Sequence, residues 1–249
     1  MERAGKIILV GAGSGDPELL TLKAVRALQN SDVILYDALV SPAVLELADK
    51  NAEKISVGKK GHGLSCRQAD INEMMVRLAL TGKTILRLKG GDPLIFSRAA
   101  EELEAARAAN VPVEIISGIT TAQTAAALLG IPLTTRETAR RLQFVTGHDH
   151  KGGLPENMNW AALADANATT VIYMPKKTIK AMRDKLLEYG LPANTPAAAI
   201  MDASLASQRV INASINELPD RVEEAQLEGA VLVIIGEVLA TIEPSANRS

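Results

Sequence analysis

The chain has 249 residues, 47% of them hydrophobic, with a formal net charge of -2 and basic residues spread along its length. Such a composition can bury one large or two medium cores, which excludes disorder, and it argues against nucleic-acid binding through a broad basic surface. The single cysteine, Cys66, and three scattered histidines exclude an internal disulfide framework and argue against a structural zinc site, so no metal is expected and a reducing compartment fits.

The apolar opening "KIILVGAG" is far shorter than a membrane span and lacks a following small-residue cleavage pattern. It reads as a first strand, and the expectation is a cytoplasmic protein with no membrane attachment. In "VGAGSGDPELLTLKA" a glycine turn follows, then a helix whose first turn is expected to hold Asp16, Pro17 and Glu18. The glycines either let a ligand approach the backbone at a helix N-terminus or simply close a strand-to-helix turn. Their G-x-G-x-G spacing lacks the third glycine of a dinucleotide fingerprint, which weakens a nicotinamide reading.

The run "SDVILYD" predicts a second strand ending on Asp37. Three roles stay open for that carboxylate: ligand of a ribose hydroxyl, general base at the carboxyl end of a sheet strand, or cap of the next segment. After a third strand, "EKISV", the glycine-rich loop "SVGKKGHGLSCRQADIN" carries Lys59, Lys60, His62 and Arg67, either to reach a ligand or as an ordinary solvated loop. The methionines of "DINEMMVRLAL" read as the core-facing stripe of a helix. In "KTILRLK" the residues Ile85, Leu86 and Leu88 alternate with Arg87 and Lys89, and Gly90-Gly91-Asp92-Pro93 breaks the strand. That break is either a place where backbone approaches a ligand or a turn before a helix capped by Asp92 or Ser97, with Arg98, Glu101 and Glu102 in its first turns.

A fifth strand, "VPVEIIS", leads to a Gly-Thr turn and a small-residue helix, and the domain boundary is expected near residues 117 to 122. Beyond it come strands at "LQFVTG", "TTVIYM", "PAAAIM", "SQRVINAS" and "GAVLVIIG", with helices near 159 to 166 and 177 to 189. "SQRVINAS" follows "PAAAIM" too closely for a helical crossover, so the two are expected to pair antiparallel. The fold class is therefore α/β in two domains, 1–118 with a mainly parallel sheet and 119–249 with a mixed one.

Taken in order, "VGAGSGDPELLTLKA", "VILYDALVSP", "VGKKGH", "RLKGGDPLIFSR", "SGITTA", "GIPLT", "FVTGH" and "YM" resemble the tetrapyrrole methylases over roughly residues 5 to 240. Within that family the likeness is to the uroporphyrinogen-III C-methyltransferases. The resemblance implies a homodimer with S-adenosylmethionine in the cleft between two domains, and a small tetrapyrrole substrate methylated at C2 and C7 to give precorrin-2. Ser14, Gly90, Gly91, Asp92, Ile95, Thr120, Thr121, Met174 and Ala203 fall at the family's cofactor positions. Asp37 falls at the proton acceptor and Lys59 at the proton donor. Because the substrate carries eight carboxylates, Lys60, Arg67, Arg98, Arg136, Arg140 and Arg141 are candidates for a basic rim.

Several positions depart from the family's usual residues. Ser14 replaces a proline, and Ser97, Ala99 and Ala100 replace glycines, which should firm the helix that follows. Pro175 replaces a glycine and is expected to bias Met174 towards extended geometry. Ala203 replaces another glycine, and a main-chain contact there persists if its φ is negative. Another tetrapyrrole or corrin precursor is the alternative substrate, and a nicotinamide-dependent oxidoreductase the alternative from another class.

Overall fold

The computed structural model describes residues 5–58, 67–149 and 151–240. Packing separates the chain into two compact units, residues 1–121 and 122–249.

The first unit holds strands β1 (Lys6–Gly11), β2 (Val33–Tyr36), β3 (Glu53–Ser56), β4 (Thr84–Lys89) and β5 (Val113–Ile116) and helices α1 (Leu22–Gln29), α2 (Pro42–Glu46), α3 (Gln68–Leu80) and α4 (Ala99–Ala108). Its strands pair in the order β3-β2-β4-β1-β5, all parallel. Strand alternation divides the apolar residues between two faces. Ile8, Val10, Ile34, Leu86 and Leu88 pack with Ala24, Leu28 and Val44 of α1 and α2. Ile7, Leu9, Val33, Leu35 and Ile85 pack with Ile71, Met75 and Ala106 of α3 and α4. With helices on both faces, the inner strands β1, β2 and β4 have almost no solvent side, while the edge strands β3 and β5 keep exposed residues.

Helix starts depend on local caps. Thr21 accepts from the amide of Ala24 to open α1, and Ser41 accepts from Val44 to open α2, with Pro42 at its first position. The expected helix over Asp16, Pro17 and Glu18 is instead a separate 3-10 turn, Pro17–Leu19, capped by Asp16. Leu20 is extended, so the hydrogen-bond ladder stops there and Thr21 restarts it. Neither Asp92 nor Ser97 caps α4. The residue at that cap is Arg98, in the left-handed region with φ 62° and without a side-chain cap bond.

The second unit holds β6 (Arg141–Thr146), β7 (Ala168–Tyr173), β8 (Pro196–Met201), β9 (Arg209–Ser214) and β10 (Val231–Ile235), with α5 (Thr121–Leu129) leading in and α6 (Trp160–Leu163), α7 (Ile179–Glu188) and α8 (Leu218–Glu224) between strands. The order is β6-β7-β10-β8-β9. Strands β6 and β7 are parallel, and the remaining pairs, β8 with β9 among them, are antiparallel. One face packs on α6, α7 and α8 and the other on α5.

Two charged residues interrupt the apolar core of the first unit. Arg87 and Lys89 on β4 are each 2% exposed, and Glu102 of α4 is fully buried between them. Glu102 Oε1 accepts from Arg87 Nε at 2.9 Å, and Lys89 Nζ donates to both carboxylate oxygens at 2.9 Å. The alternation of β4 sends residues 85, 87 and 89 to the α3 and α4 face, so both cations need a buried anion there. Burial holds the Lys89 ammonium below the ordinary lysine range, and Arg87 beside it pushes the same way against the pull of Glu102. Glu102→Leu should leave two buried cations without this anion and cost about 3–5 kcal/mol. Urea unfolding would show the loss as a lower midpoint at unchanged slope, and a change below about 1 kcal/mol would mean that water solvates the pair.

Candidate functional site

The sheet order of the first unit defines where a ligand can approach. From β1 the chain crosses one way over α1 to β2, and from the adjacent β4 it crosses the other way over α4 to β5, with α1 and α4 on opposite faces. The carboxyl ends of β1 and β4 therefore border a topological switch point, the crevice where open α/β sheets bind ligands. Both glycine turns singled out in the sequence emerge there.

The two turns are joined backbone to backbone. Gly91 N donates to Gly13 O at 2.7 Å, Gly13 N to Gly91 O at 3.2 Å, and Ala12 N to Lys89 O at 2.8 Å. Gly13 (φ 64°) and Gly91 (φ 69°) lie in the left-handed region that glycine adopts without a Cβ penalty. The loop after β5 closes on them. A Cβ on Gly118 would fall 2.4 Å from Gly91 O, and one on Gly11 would fall 2.5 Å from Gly118 N. A Cβ on Gly90 would fall 2.9 Å from the Cβ of Leu39.

Asp92 is the clasp of this arrangement. Its Oδ1 accepts from Leu94 N at 2.7 Å and its Oδ2 from Gly118 N at 2.9 Å, so both oxygens shape the loops after β4 and β5. Ile95 follows in the same turn, with its amide on Asp92 O at 3.2 Å. Thr120 and Thr121 continue from Gly118, and Thr121 Oγ1 lies 3.7 Å from where a Gly91 Cβ would stand. Ser14 sits half-buried between Gly13 and Gly15, and Ser41 Oγ donates to Gly15 O at 2.5 Å. The fold thus gathers Ser14, Gly90, Gly91, Asp92, Ile95, Thr120 and Thr121 onto three adjoining loops.

Asp37 follows β2, the neighbour of β4. Its carboxylate does not cap α2. Oδ1 accepts from Arg87 Nη2 at 2.6 Å, and the side chain is 29% exposed. Lys59 and Lys60 lie outside the described residues. Arg67, at the start of α3, is bonded to Asp70, with Nη2 to Oδ1 at 3.1 Å and Nε to Oδ2 at 3.3 Å. Arg98 holds Glu101 in the same forked way, at 2.8 and 2.7 Å. Each carboxylate raises its arginine's pKa, and each arginine holds its carboxylate below the ordinary range.

In the second unit Met174 directly follows β7 and Ala203 follows β8, strands that run in the same direction on either side of β10. Met174 is not extended as the following proline predicts, because its φ is 57°. Its carbonyl lies 3.2 Å from His148 Nδ1, and Gly147 N donates to Tyr173 O at 2.6 Å, which ties the loops after β6 and β7 together. A Cβ on Gly147 would meet Pro175 Cα at 2.6 Å. Ala203 is buried, and unlike its neighbours Asp202 (φ 49°) and Ser204 (φ 70°) it is not at positive φ. Arg141 opens β6, at the opposite end of the strands from Met174, and is paired with Asp165. Arg136 and Arg140 are exposed in the loop before it, with Arg140 Nε on Arg136 O at 2.6 Å.

The residues missed from the sequence are Arg87, Lys89 and Glu102. The signal was present as two cations spaced i, i+2 on a strand otherwise apolar, between segments that read as helices. Among the described residues, no group of three or more His, Cys, Asp or Glu side chains is placed to hold a metal ion, and no helix is long and apolar enough to cross a membrane.

The glycine crossing carries a direct test. Gly118→Ala forces a methyl against Gly91 O and should cost about 1–3 kcal/mol in chemical denaturation. Gly153→Ala, whose Cβ would meet nothing closer than Asp149 Oδ1 at 3.9 Å, should stay within about 0.5 kcal/mol of the parent. Equal effects would show that the three loops are not in contact.

Comparison with known proteins places this architecture. The chain is 46% identical over 235 residues to a siroheme synthase of Azotobacter vinelandii, covering 94% of this chain and 50% of the relative. It is 47% identical over 236 residues to the siroheme synthase of Tolumonas auensis, covering 95% and 50%. The chain thus spans about half the length of the curated relatives it matches. Among solved structures, the uroporphyrin-III C-methyl transferase of Thermus thermophilus complexed with S-adenosyl homocysteine superposes with a TM-score of 0.80 at 36% identity, over 95% of this chain and 99% of that one. A cobalt precorrin-4 methyltransferase, at 23% identity and a TM-score of 0.84, shares the fold over 94% of this chain and 95% of that one. With residues 6–219 matching the model of the tetrapyrrole (corrin/porphyrin) methylases, the chain belongs to that family.

Proposed function

We propose that the chain is an S-adenosylmethionine-dependent methyltransferase that methylates uroporphyrinogen III at C2 and C7, giving precorrin-2 for sirohaem or cobalamin synthesis. The observation that carries this reading is the switch point. Glycine backbones from β1 and β4 meet there, and one strand away Asp37 presents a partly exposed carboxylate. The likeness to a methyltransferase complexed with S-adenosyl homocysteine supports the choice of cofactor.

The residues present fit that group. At Gly13 and Gly91 a Cβ would meet nothing closer than 3.6 and 3.7 Å, so the backbone there is held in shape yet unobstructed. Ser14, Gly90, Gly91, Asp92, Ile95, Thr120 and Thr121 in the first unit, with Met174 and Ala203 in the second, are the residues proposed to hold it. When bound, S-adenosylmethionine supplies an electrophilic methyl group on a sulfonium. Asp92 contributes by fixing the loops, since both its oxygens are taken by backbone amides.

The nucleophile is an electron-rich pyrrole carbon, which gains positive charge as it attacks. The attacked carbon already carries a side chain and has no proton to lose, so the Asp37 carboxylate stabilises that charge and accepts the proton released from elsewhere in the ring system as its double bonds shift. Lys59 is the proposed proton donor. Lys60, Arg67, Arg98, Arg136, Arg140 and Arg141 are proposed to meet the substrate carboxylates, with Arg67, Arg98 and Arg141 exchanging their present carboxylate partners to do so. A homodimer, which the family resemblance implies, and the cytoplasmic location expected from the sequence complete the reading.

The test is incubation of the purified chain with labelled S-adenosylmethionine and anaerobic uroporphyrinogen III. Mass spectrometry should find a product carrying two added methyl groups, and Asp37→Asn should lower turnover by about 10²–10⁴-fold while leaving cofactor binding intact. Tight binding of S-adenosylhomocysteine without methylation of this substrate would overturn the substrate assignment, and methylation of a later corrin precursor would replace it.

A further inference from the structure

We propose that Arg87 is a positioning residue for the methyl-transfer site: anchored from behind by Glu102, its guanidinium fixes Oδ1 of Asp37 at the carboxyl end of the sheet and leaves the other oxygen to face the substrate. The proposal rests on the reading of Asp37 as the carboxylate that serves the pyrrole.

The bonding of Arg87 is directional. Nε donates to Glu102 Oε1 at 2.9 Å, Nη1 to Leu88 O at 3.2 Å and Leu35 O at 3.4 Å, and Nη2 to Asp37 Oδ1 at 2.6 Å. Each of the three nitrogens is thus engaged by the fold, which removes the rotational freedom a long side chain ordinarily keeps. Arg87 is paired in register with Leu35 across β2 and β4, so its fork reaches the end of β2 where Asp37 stands. Asp37 accepts no other side-chain hydrogen bond among the described residues, and it is the one member of the cluster with appreciable exposure.

Charge balance argues the same way. Lys89 alone neutralises Glu102, to which it donates twice. A second buried cation on the same strand is balanced only when Asp37 is counted, giving Arg87 and Lys89 against Glu102 and Asp37. A structural pair would not need Arg87. Gln68 Nε2 donates to Glu102 Oε1 at 3.2 Å, which further fixes the anchor. Lysine at 87 would supply the charge but not a planar fork able to grip two carboxylates lying in different directions. Preorganisation of this kind acts by holding a charged group where the transition state needs it, and a displacement near 1 Å costs about 10²-fold in rate.

The experiment compares the parent chain with Asp37→Asn, Arg87→Lys, Glu102→Gln and the double variants that place each of the latter two in the Asp37→Asn background, assayed with uroporphyrinogen III well below each melting temperature. S-adenosylhomocysteine affinity and thermal melting report whether each variant is folded. Arg87→Lys should lower kcat by about 10–100-fold with KM for the tetrapyrrole and S-adenosylhomocysteine affinity within about 3-fold. In the Asp37→Asn background it should add no further loss, because the two residues act as one unit. Glu102→Gln, which leaves Arg87 in place but weakens its anchor, should lower kcat by several-fold and also become silent in that background. A lowered kcat in Asp37→Asn with parental kcat in both Arg87→Lys and Glu102→Gln would overturn the proposal and leave the methyltransferase reading standing, as would losses that add in the double variants. Full turnover by Asp37→Asn would overturn the proposal together with the role of Asp37. No methylation by the parent chain would overturn the substrate reading and the proposal with it.

Discussion

The first unit is organised around a carboxylate that has no route to water. Glu102 is fully enclosed beneath the sheet, and the two cations that compensate it both come from β4. In a low-dielectric interior such ions are tolerated only when each is paired and hydrogen-bonded. This requirement locks α4 against β4 at one angular position, because a one-residue slip of the strand would turn Arg87 and Lys89 onto the opposite face, away from α4. The turn Gly90-Gly91-Asp92-Pro93 connects those same two elements. The loop therefore inherits its placement from the ion cluster, and Asp37 is linked to the cluster through Arg87.

Backbone strain marks the same regions. The described non-glycine residues at positive φ are Phe96, Arg98, Asn110, Met174, Asp202, Ser204 and Gln226. Asn110 and Gln226 lie just past the ends of α4 and α8, where a left-handed residue is an ordinary helix stop. The others fall on the loops after β4, β7 and β8 that carry the candidate residues. Such conformations cost of order 1–3 kcal/mol each and persist where the surroundings over-determine them. The departures from family glycines fall beside these residues rather than on them. Ser97, Ala99 and Ala100 are not at positive φ, so a Cβ at those positions carries no conformational penalty of this kind. Ser97 adds a hydrogen bond, from its hydroxyl to the carbonyl of Pro93, that glycine cannot make.

Much of the fold was legible as pattern. Each of the ten strands lies within or overlaps a run picked out by β-branched composition, and the short β8 to β9 connection correctly announced antiparallel pairing. The helices near 159 to 166 and 177 to 189 are present as Trp160–Leu163 and Ile179–Glu188. The misreadings were local and had local causes. A carboxylate beside proline looked like a helix start, but Thr21 offered a better-placed cap. A proline after Met174 predicted extended geometry, but the packing of Gly147 against Pro175 and the contact of His148 with the Met174 carbonyl accompany a left-handed residue there. Of the site, the glycine turns and Asp37 were visible because each sits where a strand stops.

The sequence by itself determined which segments become strands and helices, that the first sheet is parallel, and that chemistry collects at strand ends. Those properties follow from periodicity, turn residues and crossover length, all encoded within a few tens of residues. Only the tertiary structure decided what Arg87, Lys89 and Glu102 do. In the chain they are two cations on an alternating strand and an acid near a helix start, each compatible with solvent. Once helices cover both faces of the sheet, water is excluded and the three must pair with one another and with Asp37. Burial comes from the assembled layers, so no local pattern could announce it.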